Sequence, residues 1–151
     1  MKILVCTDGS EHSKKAMEEA AKIAGGCSVD EVTVIHTYER AQVFPMWDEG
    51  YHIAQEELER LRRMEAQDRR DEKEKLLQEA VDFFAGKNIK ANKILVEGHP
   101  AETIARIADE EGYDLLVVGS RGLGGLKKLM LGSVSNALLQ EVSTNVLVVK
   151  Q

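Results

Sequence analysis

Glycines at 119, 122, 124, 125 and 132, with serines at 133 and 135, mark the stretch of this chain whose residue types suggest chemistry. They fall within DLLVVGSRGLGGLKKLMLGSVS, from Asp114 to Ser135. A short apolar run, Leu115 to Val118, reads as a buried strand that breaks into a glycine loop. The second Gly-Ser, at 132 and 133, opens a helix whose first backbone N–H groups lack intrahelical acceptors. A strand, a glycine loop and a helix N-terminus in series are a place to hold an anion. Arg121, Lys127 and Lys128 stand nearby as candidate phosphate cations, although the two lysines fit ordinary surface positions equally well.

Spacing removes two familiar phosphate loops. A P-loop requires a glycine followed by Lys and then Ser or Thr, and no glycine here is so followed. A dinucleotide fingerprint requires G-x-G-x-x-G; Gly122 and Gly124 satisfy its first half, but Lys127 takes the third glycine's place. The first strand ends TDGS, without the paired-glycine phosphate loop of an ATP pyrophosphatase-type enzyme. The spacing that remains is Gly119-x-x-Gly122, then nine residues, then Gly132-Ser133.

The elements that must position this loop follow from the hydrophobic pattern. Lys2 to Thr7 is apolar enough for a buried strand, and Asp8-Gly9 turns the chain. Ser10 then caps a helix with Ala16, Met17, Ala20, Ala21 and Ala24 on one face, and Gly25-Gly26 is expected to stop it. Glu31 to Thr37 is a second strand. Tyr38 to Gly50 holds the only tryptophan and one of two prolines, and reads as an irregular loop at a strand end, where binding loops lie.

Tyr51 to Ala85 has a helical pattern, but its middle, Glu65 to Lys75, is almost devoid of apolar residues. Two readings stay open: one long helix with a solvated middle, supported by pairs such as Glu65–Arg69 and Asp71–Lys75, or two helices with a frayed join. Ile89 to Val96 is a third strand. Pro100 sits at the first position of a short helix whose stripe is Ile104, Ala105 and Ala108. After the glycine loop come a helix from Ser133 to Val142 and a last strand, Asn145 to Val149. Five strands alternating with helical segments call for a single open parallel α/β sheet with helices on both faces. Residues 1–151 are expected to form one domain.

Bulk properties bound the function. The 151 residues carry a formal net charge of -6, which argues against a nucleic-acid or membrane-surface partner. The opening MKILVCTDGS is too short an apolar run for an export signal, no segment is long enough to span a bilayer, and a cytoplasmic location is expected. Cys6 and Cys27 have no metal-like spacing and read as two reduced thiols. His12, His52 and His99 likewise show no ligand spacing, and His36, inside a strand, is assigned to packing.

The sequence GSRGLGGLKKLMLGS resembles the G-x2-G-x9-G-[ST] motif of the universal stress protein family, specifically its ATP-binding branch. The likeness extends along nearly the whole chain, through ILVCTDGS, GHPAE and VSTNVLVV in the right order. The family also contains a branch without nucleotide binding, in which the glycine motif is usually lost; here the motif is complete.

The resemblance implies strand order 3-2-1-4-5, which sets the ends of strands one and four side by side at the switch point. It implies ATP, ADP or AMP as ligand, with Mg2+. Thr7 and Val118 would line the base pocket, with a second-strand residue near Val34 to Thr37, Thr37 in particular, against adenine. Asp8 would accept hydrogen bonds from the nucleotide and help hold the magnesium, although it also suits a simple helix start. Gly119 and Gly122 would let the backbone approach the phosphates, Arg121 would supply charge, and Gly132, Ser133, Val134 and Ser135 would offer N–H groups and hydroxyls. The expected function is a nucleotide-dependent regulatory module. The alternatives are a slow ATP hydrolase with no identified catalytic residue, or an interaction protein in which nucleotide is incidental. A homodimer is expected through the edge strand Asn145 to Val149, and an unidentified protein partner remains open.

Overall fold

The computed structural model describes residues 1–39, 55–124 and 131–150. Its elements run β1 (Lys2–Cys6), α1 (Glu11–Gly26), β2 (Glu31–Tyr38), α2 (Gln55–Ala85), β3 (Ala91–Glu97), α3 (Pro100–Glu110), β4 (Leu115–Gly119), α4 (Ser133–Glu141) and β5 (Asn145–Val149). The five strands form one sheet in the order β3-β2-β1-β4-β5, and every pairing is parallel. The expected strand order is therefore the observed one.

Both faces of the sheet are covered, which is why its central strands read as continuous apolar runs. Ile3 and Val5 of β1 join Val32, Val34, Met17, Leu77 and Phe84 in the core beneath α1 and α2. The alternate residues Leu4 and Cys6 join Ile35, Ile104, Leu116 and Leu138 beneath α3 and α4. Strand period two thus divides one apolar segment between two cores.

Three details differ from the expectation. Gly25 and Gly26 lie within α1, whose C-cap is Cys27; with no side chains to crowd, they simply continue the last turn. β3 begins at Ala91, two residues late, because Asn88 takes a left-handed conformation (φ 60) in the turn after α2. The open question over the charged segment is settled for the described residues: α2 is one helix of 31 residues. Its ion pairs within the helix are Glu57–Arg60 and Glu59–Arg63, N-terminal to the expected Glu65–Arg69 and Asp71–Lys75, and Glu74 pairs outward with Lys93 of β3; Asp71 accepts instead from Gln67. The Tyr38–Gly50 loop lies, from residue 40 onward, outside the described residues.

Candidate functional site

The site begins where β1 runs out of partners. Pairing with β4 ends at Val5↔Val117 and pairing with β2 at Cys6↔Ile35, so Thr7 and Asp8 project past the ladder on both sides. Thr7 keeps one sheet-like bond, its N–H donating to the Ile35 carbonyl at 3.0 Å. Asp8 closes a short turn by accepting the Ser10 N–H on Oδ1 at 3.0 Å, and Gly9 supplies the positive φ of 80° that this turn needs. Ser10 then caps α1, its hydroxyl accepting the Ser13 N–H at 3.2 Å.

The opposite wall comes from β4 and the loop behind it. Gly132 donates its N–H to the Ser120 carbonyl at 2.8 Å, which brings the start of α4 back against the end of β4. The first intrahelical bond of α4 runs from the Asn136 N–H to the Gly132 carbonyl. By helix geometry the N–H groups of Ser133, Val134 and Ser135 are left with no acceptor inside α4. The Ser135 hydroxyl is buried and turned back onto the Gly132 and Ser120 carbonyls, at 3.0 and 3.2 Å. It braces the helix start.

Between these walls lies a cavity of about 300 Å³. The structure brings together at this cavity every described residue that the sequence nominated: Thr7, Asp8, Thr37, Val118, Gly119, Arg121, Gly122, Gly132, Ser133, Val134 and Ser135. Lys127 and Lys128 lie outside the described residues. Cys6, Ser13, Pro100 and Ile104 also line it without a sequence nomination, and Ile35 and His36 line it from within the Val34–Thr37 stretch expected near the base. A partial signal existed for three: Ile35 and His36 immediately precede Thr37 at the end of β2, and Pro100 opens the helix after β3, whose end shares the same sheet edge.

The surroundings are apolar at one end and rich in backbone donors at the other. Cys6, Ile35, Ile104 and Val118 belong to the core beneath α3 and α4, and Val134 packs against it. Burial pushes the Cys6 thiol up to about 12, with the Asp8 charge acting in the same sense, so the thiol is protonated at neutral pH. Asp8 is the one carboxylate among the described lining residues, and no group of three His, Cys, Asp or Glu suited to a metal occurs among the described residues. A cation there would rely on Asp8 plus oxygens of a ligand, as magnesium beside phosphates does.

The motif glycines have neighbours of their own. A Cβ placed on Gly119 would stand 2.7 and 2.8 Å from the backbone carbon and oxygen of His12 in α1. One on Gly122 would stand 2.5 Å from Asp8 Oδ2, and one on Gly132 3.3 Å from the Arg121 Cα. Gly119 thus admits α1, Gly122 admits the Asp8 carboxylate, and Gly132 lets the loop fold back on itself.

Comparison with known proteins agrees with this architecture. The family model for the universal stress protein family matches residues 1–150. Universal stress protein YxiE of Bacillus subtilis (strain 168) is 35% identical over 150 residues, spanning 99% of this chain and 98% of that one. The solved structure of MJ0577 of Methanocaldococcus jannaschii superposes with a TM-score of 0.80 at 26% identity, over 99% of this chain and 95% of that one. A universal stress protein in complex with cAMP superposes at 0.65, also at 26% identity, over 99% and 95% of the two chains. With the whole length matched and the sheet order observed, this chain belongs to the universal stress protein family.

Proposed function

We propose that residues 1–151 act as one adenine-nucleotide-binding regulatory domain, with ATP as ligand, ADP or AMP as its alternatives, and Mg2+ entering with the phosphates. The observation that carries this reading is the convergence of Thr7 and Asp8 with Gly119–Ser135 residues on one cavity at the switch point of a parallel sheet. Apolar walls suit a purine, and the unpaired N–H groups at the start of α4 suit phosphate oxygens. The complex of a related protein with cAMP supports an adenine nucleotide as the class of ligand. In this reading Asp8 faces the ribose and a phosphate-bound magnesium, Arg121 adds positive charge, and Thr37 and Val118 hold the base. No catalytic residue is assigned. We further propose a homodimer through β5, whose outer edge ends the sheet.

Equilibrium dialysis of nucleotide-free protein against ATP with magnesium tests the reading. Saturable binding is expected, and it should vanish in Gly132→Trp, whose side chain would fill the crevice. Absence of binding at millimolar ATP would sink the proposal.

A further inference from the structure

Toward its N-terminus α2 runs past the sheet and leaves a second cleft beside the strand ends. Glu74 still reaches Lys93 in the middle of β3, at 3.2 Å. About one turn earlier, Arg69 and Arg70 share a cavity of about 580 Å³ with Tyr38 at the end of β2 and Glu97 at the end of β3. Arg62, Arg63 and Ala66 continue the same wall toward the start of the helix. Positions 62, 66, 69 and 70 are three and four residues apart, so they fall on one face. The small Ala66 side chain hollows that face between the arginines. None of the described residues lining this cleft lines the switch-point cavity.

The arginines of this wall are left over from the pairing along α2. Glu59 takes Arg63 at 3.4 Å, Glu57 takes Arg60, and Glu74 turns outward to Lys93. Arg69 has Glu65 one turn back and does not pair with it. Among the described residues Arg62, Arg69 and Arg70 hold no ion pair or hydrogen bond. Three such guanidiniums on one helix face are a local exception in a chain of net charge -6. Each presents a planar fork of N–H donors that fits a carboxylate at two points. Across the cleft stand Glu39 and Glu97, also without an ion pair among the described residues. They would repel an occupant that was acidic throughout. All of these charged side chains are exposed, so each pair formed here is screened and weak, and affinity must come from several contacts together.

We propose that this cleft docks a segment of a partner protein that carries carboxylates on one side and a lysine or arginine on the other. The carboxylates lie along Arg62, Arg69 and Arg70, and the basic residue meets Glu39 and Glu97. Both walls are then answered, which neither a wholly acidic nor a wholly basic segment achieves. Tyr38, half-buried at the strand end, offers apolar surface to the stems of such side chains. A free phosphate chain would answer the arginines and leave both glutamates opposed. The proposal does not rest on the nucleotide reading above.

Fluorescence anisotropy of short labelled peptides titrated with the full chain tests this. A peptide alternating Glu-Glu and Lys-Lys pairs is expected to bind with a Kd on the order of 0.1 mM at low salt, and all-glutamate and all-lysine peptides about fivefold more weakly. Arg69→Glu combined with Arg70→Glu should weaken the mixed peptide about tenfold. Both side chains are exposed, so this variant is expected to keep its fold, which circular dichroism checks. In Glu39→Gln combined with Glu97→Gln the preference should move to the all-glutamate peptide, a reversal that a merely structural role would not produce. If the arginine variant fails to fold, this second variant decides alone. Absence of binding, equal binding of the three peptides, or undiminished binding to a folded arginine variant overturns the proposal. Displacement of the mixed peptide by inorganic triphosphate at equal concentration does so too, because the cleft would then be a small-anion site.

Discussion

Among individual residues, the motif glycines carry a double meaning that spacing alone does not reveal. Each is explained by a neighbour within the protein: the His12 backbone at Gly119, the Asp8 carboxylate at Gly122, the Arg121 backbone at Gly132. The first of these contacts is rigid, because neither the start of α1 nor the end of β4 can shift without disturbing the core. The second is softer, since a carboxylate can rotate, although its other oxygen is tied to the Ser10 N–H. Gly119→Ala is therefore expected to destabilise the fold by about 1–3 kcal/mol, the usual cost of overpacking. Gly25→Ala should do the reverse: nothing stands within 4 Å of its Cβ position, and alanine inside a helix is worth roughly 0.5–1 kcal/mol over glycine. Urea unfolding of the two variants checks both signs. Equal destabilisation by both would refute this account of Gly119.

At the scale of elements, α2 is two different objects on one continuous backbone. Its C-terminal part buries Leu77, Ala80 and Phe84 in the core, and Lys93 of β3 anchors it through Glu74 and Gln78. From residue 56 to 72 every side chain is exposed except the half-buried Leu58, including Leu61 at 44% and Met64 at 54%. That portion extends for roughly 25 Å at 1.5 Å per residue. With little packing, its helicity rests on propensity and on pairs such as Glu59–Arg63, each worth a few tenths of a kcal/mol. Leu77→Ala should cost about 2–5 kcal/mol, and Met64→Ala should stay within about 0.5 kcal/mol of wild type. Thermal unfolding monitored by circular dichroism compares them. A large loss in Met64→Ala would show that the exposed half is packed against something in solution.

For the molecule as a whole, the sheet order decides where a site can form and where copies can meet. Reversal of strand order at β1 and β4 opens the crevice on one edge of the sheet. The same order leaves β3 and β5 as the flanks, and β5 is a short apolar strand whose Val146, Leu147 and Val148 are only half-buried. An unpaired apolar edge invites pairing with a second copy. Light scattering at micromolar concentration is expected to return twice the 16.8 kDa chain mass. A mass equal to one chain would remove the proposed β5 dimer and leave the cavity argument untouched. No described helix is long and apolar enough to cross a membrane.

The sequence by itself determined the identity and alternation of the elements, because strand and helix periods are written in neighbouring residues. The runs KILVC, EVTVIHTY and LLVVG announce buried parallel strands, and Pro100 and Ser10 announce helix starts. It also nominated the motif glycines and Asp8 at the cavity, since glycine spacing and a strand-end acidic turn are local signals. Tertiary structure decided what each of them touches. That the missing Cβ of Gly119 makes room for His12, or that Nδ1 of His36 meets the Thr7 carbonyl at 2.6 Å, depends on contacts between segments far apart in the chain. Such contacts leave no period to read. His36 has the same alternation as its core neighbours Val32 and Val34, and only the early end of the β1–β2 ladder turns it from packing into a wall of the site.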